Sequence, residues 1–376
     1  MLPSALGFIA GLDIVSSFRL FVVYLLCGVP GVFLIGRLRS QGVALERRSM
    51  VSLGAPLGLA IAIGTQQLLV ALHIGTFGWL LPAVVASPTV VRGRLFKDSK
   101  FGSRRQFVVF LTCSLLFLAD VHWAFLVSAI CALTSLVLPK RTGSAVLVIG
   151  SIASYLILPK FWFLISNDRL FEEAYSRSIF QFGFWDWYGS SSTWVPYHWF
   201  AHALGGLAQA AITSEPFVGV GVVPVVLAAA IFAGAAYEIG SFVLLDSFRA
   251  DWAIAICPLF GVFALGESNS ADLSIALGVW ALAVVFSFAL ASQRKLGLWI
   301  LLSATSAIVL LTKVSTGLVI VGAVVAFLVF RGINNGALKQ ATFLSGACIL
   351  STSVVLITNF DLLDLQPQMT ADHDLL

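Results

Sequence analysis

The chain has 376 residues, 59% of them hydrophobic and 11% charged, with a net charge of +4 and a mean hydropathy of +0.98. Soluble domains carry about a quarter charged residues, so this composition excludes a soluble globule and points to an all-α polytopic bundle with the lipid bilayer as its solvent. The basic residues fall in short clusters with no interleaved stacking aromatics, which excludes nucleic acid as a partner.

An apolar run of roughly 17–25 residues crosses a hydrocarbon core of about 30 Å as helix. About twelve such runs are predicted, at 14–36, 51–72, 75–91, 106–119, 121–138, 144–165, 217–245, 252–266, 271–291, 296–312, 314–330 and 341–358. No basic n-region precedes the first run, so it is expected to stay as a span and not be cleaved. The runs divide the chain into an N-terminal transmembrane block (1–165), a polar loop (166–216), a C-terminal transmembrane block (217–358) and a tail (359–376). Cys27, Cys113, Cys131, Cys257 and Cys348 all fall within predicted spans without metal-type spacing, and read as small apolar packers.

Lysine and arginine concentrate in alternate loops: Arg37, Arg39, Arg47 and Arg48; Arg92, Arg94, Lys97, Lys100, Arg104 and Arg105; Lys140 and Arg141; Arg249; Arg294 and Lys295; Arg331 and Lys339. Basic loops stay on the cytoplasmic side. The intervening loops hold most of the acids, so the loop 166–216 and the tail are expected on the extracytoplasmic face of the plasma membrane. Within the spans, Glu238 beside Tyr237 is the clearest acid, and reads either as a functional group or as one paired inside the bundle.

The loop holds four of the ten tryptophans and two of the five histidines. Residues 168–182 read as an amphipathic helix capped by Ser166 or Asn167, with Phe171, Tyr175, Ile179 and Phe182 as its apolar stripe. At about 100° per residue, Asp168 projects within that stripe and Glu172 at its border, while Glu173 and Arg177 pair at i, i+4 on an exposed opposite face. Asp168 is therefore either an inward-aimed functional carboxylate or a first-turn acid that complements the helix dipole. Trp185 and Trp187 suit stacking on a sugar face, and equally suit the headgroup belt. Pro196 is placed to open a further helix, which would set His198 and His202 on one face. Two histidines at this spacing, with Asp168 or Asp186, could hold a divalent cation such as magnesium or manganese, or an acidic phosphate. They read equally as structural or interfacial side chains. Trp199 stands where a zinc protease needs its glutamate, so that motif is absent, and without a Walker-type glycine loop ATP-driven work by this chain alone is not expected.

The run Asn167-Asp168-Arg169-Leu170-Phe171-Glu172-Glu173-Ala174-Tyr175-Ser176-Arg177-Ser178-Ile179, continuing to Gly183 and then Tyr197-His198, resembles the first large external loop of the membrane-embedded GT-C glycosyltransferases. Those enzymes take sugar from a polyprenyl-phosphate carrier. The resemblance implies that Asp168 is the catalytic base or a metal-binding acid, with Glu172 as the second candidate. Trp185, Trp187, Tyr197 and His198 are then implied to line the substrate. Leu311-Thr312-Lys313-Val314-Ser315-Thr316-Gly317 is similar to helix-end segments in which a basic residue meets the carrier phosphate, and this implies that role for Lys313. The family normally sets this loop after its first span, whereas about six spans precede it here. A transporter or flippase for a lipid-linked or hydrophobic substrate is the alternative, with the loop acting as a gate.

Overall fold

In the computed structural model, the residues described are 12–40, 47–75, 77–92, 167–183, 199–213, 217–243, 269–288 and 296–360, with Ser4 and Glu215. Among them the only regular elements are helices. These are α1 (Ile14–Ser40), α2 (Arg47–Ala71), a 3-10 turn (Gly78–Leu80) leading into α3 (Leu81–Arg92), α4 (Asn167–Phe182), α5 (Trp199–Ala211), α6 (Val218–Gly221), α7 (Val223–Val243), α8 (Asn269–Phe288), α9 (Leu296–Thr312), α10 (Val314–Asn334) and α11 (Leu338–Phe360). Among the described residues five stretches are long and apolar enough to cross a membrane: Ile14–Leu38, Ser49–Ala71, Val218–Ile239, Val314–Asn334 and Leu338–Thr358. Asp272–Phe288 and Leu296–Thr312 are shorter apolar helices. The runs expected at 106–119, 121–138, 144–165 and 252–266 lie outside the described residues, as do the tail and Cys113, Cys131 and Cys257.

One expected span is cut short and another opens irregularly, each for a local reason. The run expected at 75–91 begins with a turn in which His73 and Gly75 take positive φ (58° and 123°), and the helix proper has only 12 residues. Twelve residues rise about 18 Å, short of a bilayer core of about 30 Å. The run expected at 217–245 opens with Phe217 in the left-handed region (φ 64°) and a four-residue helix before α7. Pro224, in the first turn of α7, has no N–H to offer Val220, but the Val222 N–H donates to Val218 and the Val226 N–H to Val222, each at 3.0 Å, so Val218–Ile239 remains one stretch long enough to cross a membrane. At the start of α1, Asp13 accepts the backbone N–H of Ser16 at 2.8 Å, an N-cap that holds its carboxyl below the usual range through hydrogen bonds from Ser16.

Lipid gives no hydrophobic reward for joining two apolar helices, so close backbone approach must supply the contact. The α1–α2 hairpin uses glycine for this. A Cβ at Gly31 would lie 1.9 Å from the Gly54 carbonyl oxygen, and one at Gly58 would lie 2.3 Å from that of Cys27. Cys27 and Cys348 are buried in helices, as expected of apolar packers. The centre of the bundle is α7: the span containing it is 89% buried, whereas α10 is 28% buried and lies at the periphery. Hydrophobic residues on all sides are the pattern of a helix without a solvent face. Trp280 of α8 anchors this centre to α2 by donating its indole N–H to the Leu53 carbonyl at 2.9 Å.

The contacts give the bundle two chemically different ends. Gly297, at the start of α9, faces Leu38 near the end of α1, and Gly234 of α7 faces Ser52 near the start of α2. Arg37, exposed and stacked over Phe33 at 5.3 Å, lies at this end. Arg331 over Phe327, and exposed Lys339 in the first turn of α11, lie there too, because α10 runs down from its contact with Gly278. The opposite end collects the C-terminus of α2, the α4–α5 pair, and the corner where α9 passes into α10 through the single extended residue Lys313.

Replacing Gly31 with alanine is expected to cost about 1–3 kcal/mol by overpacking the α1–α2 contact. Alanine at Gly64, which has open space around it, is expected to be neutral or to gain up to about 1 kcal/mol from helix propensity. Thermal unfolding in detergent compares the two, and equal melting temperatures would refute the close contact.

Candidate functional site

One group of buried polar residues, including Glu172, Glu173, Ser176, His202 and Gln209, gathers where α4 meets α5 and the start of α6. Helix α4 begins at Asn167 and puts Tyr175 and Ile179 of the expected stripe fully inside, while Phe182 is exposed. The opposite face does not meet solvent as the helical wheel predicts. Glu173 is buried and its carboxylate gathers three donors. Arg177 donates its Nε–H to Oε1 at 2.7 Å, the Gln209 side-chain amide of α5 donates to the same oxygen, and the Phe217 backbone N–H donates to Oε2 at 2.9 Å. The i, i+4 pair is present, but the exposed half of it is Arg177 alone.

This arrangement explains how a carboxylate survives there. A buried charge is tolerable when its lone pairs are filled by donors. It also explains the left-handed Phe217, a conformation that costs roughly 1–2 kcal/mol for a non-glycine residue. The N–H of Phe217 is held by Glu173 while its carbonyl accepts the Gly221 N–H at 2.6 Å. Gly205 and Gly206 let α4 and α5 touch: a Cβ at Gly206 would lie 2.3 Å from the Ser176 carbonyl oxygen. One turn away, the His202 ring, buried, meets Tyr175 edge to face with centroids 4.6 Å apart. Helix α5 is buried along nearly its whole length and contacts α1, α2, α7, α8 and α9 as well as α4. Gln67 of α2 completes the attachment by donating to the Ile179 carbonyl at 3.3 Å, and Gly183, with φ +83°, turns the chain away beside Val70.

The predicted site residues fall as follows. Asp168 lies in the first turn of α4, and Glu172 is buried on the same helix. His202 is in the buried face of α5. Trp185, Trp187, Tyr197 and His198 lie outside the described residues, so the expected pairing of His198 with His202 lies outside them too. Lys313 is partly buried between α9 and α10 and forms no ion pair among the described residues. Beside it the first turns of α8 and α10 are joined by a hydrogen bond from Ser274 to Thr316 at 3.2 Å. Among the described residues no group of three or more His, Cys, Asp or Glu side chains could hold a metal ion. Glu238 is buried in α7, beyond Gly234 toward the end of the bundle that carries Arg37.

The element that sequence reasoning missed is the Glu173 clasp. Its partners stand 36 and 44 residues away, and no helical periodicity reports them. No protein-family model, curated protein or solved structure matches the chain.

Glu173→Ala is expected to destabilise the fold by about 1–3 kcal/mol for each buried donor left unpaired. Arg177→Ala, on a side chain 54% exposed, is expected to cost no more than about 1 kcal/mol. Comparable melting temperatures for the two variants would show that the carboxylate does not hold α5 and Phe217.

Proposed function

We propose that this chain is a GT-C-like membrane glycosyltransferase that moves a sugar from a polyprenyl-phosphate donor to an envelope glycan, lipid or protein acceptor. The observation that carries the reading is the shared position of two groups. The helix that opens with Asp168 packs on the same end of the bundle as Lys313, a partly buried cation without an ion-pair partner among the described residues. In the proposed reaction Asp168, aided by Glu172, removes the proton of the acceptor hydroxyl, and Lys313 stabilises the charge left on the carrier phosphate. A divalent cation, magnesium or manganese, would assist at Asp168 with His198 and His202, while Trp185, Trp187 and Tyr197 line the sugar. The proposal includes about twelve spans in the plasma membrane, with 166–216 and the tail outside the cytoplasm. A transporter or flippase for a lipid-linked substrate is the second reading, and it draws support from Glu238, an acid buried in the most enclosed helix.

Asp168→Asn is expected to lower transfer from a polyprenyl-phosphate sugar by about 10²-fold, as loss of a general base does, with folding unchanged. Lys313→Ala is expected to lower it as well, by about tenfold or more. Glu215→Gln, at an exposed position, serves as the control because Glu173 is structural. Equal small effects at all three positions would sink the transferase reading. Lipid movement across reconstituted vesicles that stops with Glu238→Gln would then favour transport.

Single cysteines at Ser191 and Gln368 are expected to react with an impermeant thiol reagent in intact cells, and one at Ser99 to stay unlabelled. The reverse pattern would overturn the proposed orientation.

A further inference from the structure

We infer that the turn between α2 and α3 is a lipid-inserted anchor, seated in the interfacial layer of the bilayer. In the sequence this connection is Leu72-His73-Ile74-Gly75-Thr76-Phe77-Gly78-Trp79, which contains no formally charged residue. Its large side chains face outward: Leu72 is 57% exposed, Ile74 67% and Phe77 75%. Turns that meet water are built from Gly, Asn, Asp and Ser, and the α10–α11 connection at the other end of the bundle, Asn334-Asn335-Gly336, follows that rule. The α2–α3 turn breaks it at its most exposed positions.

The backbone of the turn is prepared for a medium that offers few hydrogen bonds. His73 and Ile74 donate their N–H groups to the carbonyls of Val70 and Leu69 at 2.9 Å each, and Leu80 donates to Phe77 at 3.1 Å. The Trp79 N–H reaches the side-chain oxygen of Gln66, a residue 2% exposed, at 3.0 Å. Polar backbone that enters lipid must be satisfied internally, whereas a water-exposed turn needs no buried glutamine to cap it. The occupant follows from continuity. The exposed apolar residues of the turn are flanked by Leu68 of α2 and by Leu81, Val84 and Val85 of α3, all exposed as well. What solvates the exposed face of α2 at Leu68 also meets the adjoining turn, and beside the Ser49–Ala71 stretch, long and apolar enough to cross a membrane, that is lipid. Helical rise from Ser49 to Ala71 is about 33 Å, which sets the turn at the far boundary of a core about 30 Å thick. Apolar and aromatic side chains anchor at that boundary.

The test reads the solvent at each position in the full chain reconstituted into phosphatidylcholine–phosphatidylglycerol vesicles. An environment-sensitive fluorophore is attached at Ile74→Cys or Phe77→Cys, and at Asn335→Cys as the water-facing reference, with the unsubstituted chain setting the background. At Ile74 and Phe77 the label is expected to be quenched by nitroxide-bearing acyl lipids several-fold more than by aqueous iodide, with the opposite order at Asn335. Iodide quenching at Ile74 and Phe77 equal to that at Asn335 would overturn the inference. So would protection from both quenchers, which would assign the patch to a protein partner.

Discussion

The Glu173 carboxylate is the constraint on which the polar end of this molecule depends. Its Oε1 is shared by Arg177 on the same helix and Gln209 on α5, and its Oε2 takes the backbone N–H of Phe217 where the chain prepares to enter α7. One charged group on α4 therefore holds α5 and the start of α6, whose contacting residues stand 36 and 44 positions further along the chain. The left-handed turn at Phe217, which sets the direction of the most buried helix, is tied to that charge. Filling all the donors and acceptors of a buried group is the condition on which such a site adds order and does not simply cost stability.

The rest of the bundle is held by close approach of small residues. Gly31 against Gly54, Gly58 against Cys27, and Gly206 against Ser176 each bring backbones to distances that a methyl group would forbid. Between apolar helices in an apolar solvent, dispersion at such contacts replaces the hydrophobic effect that would operate in water. Polar side chains supplement it at few but central points: Trp280 to Leu53, Gln67 to Ile179, and Ser274 to Thr316. Each bond crosses between helices and settles their relative height.

These contacts separate chemistry along the bundle axis. Arg37, Arg331 and Lys339 lie at one end, while the buried acids of α4, His202 and Lys313, which forms no ion pair among the described residues, lie at the other. Helices α4 and α5 are packed into that second end along nearly the whole of α5, so the segment that reads in sequence as an external loop contributes to the core. A group placed on it is held by the scaffold, which is what catalysis or selective binding requires of a residue.

Composition and apolar run length alone determined that this is a helical chain with segments long and apolar enough to cross a membrane, because crossing a hydrocarbon core imposes length and apolarity residue by residue. The inward stripe of α4 was also legible, since Tyr175 and Ile179 follow the helical period and both are buried. The fate of its other face was not. A helical wheel reports spacing within one segment, whereas Glu173 is buried by α5 and by Phe217, whose arrival depends on the folding of the chain between them. The turn at His73–Gly75 likewise escaped a count of hydrophobic residues, because left-handed backbone interrupts a helix without lowering its hydropathy. What only the tertiary structure decided is which acid is a structural clasp. Partnership in a folded chain is a property of distances in space, and sequence periodicity carries those only within a single element.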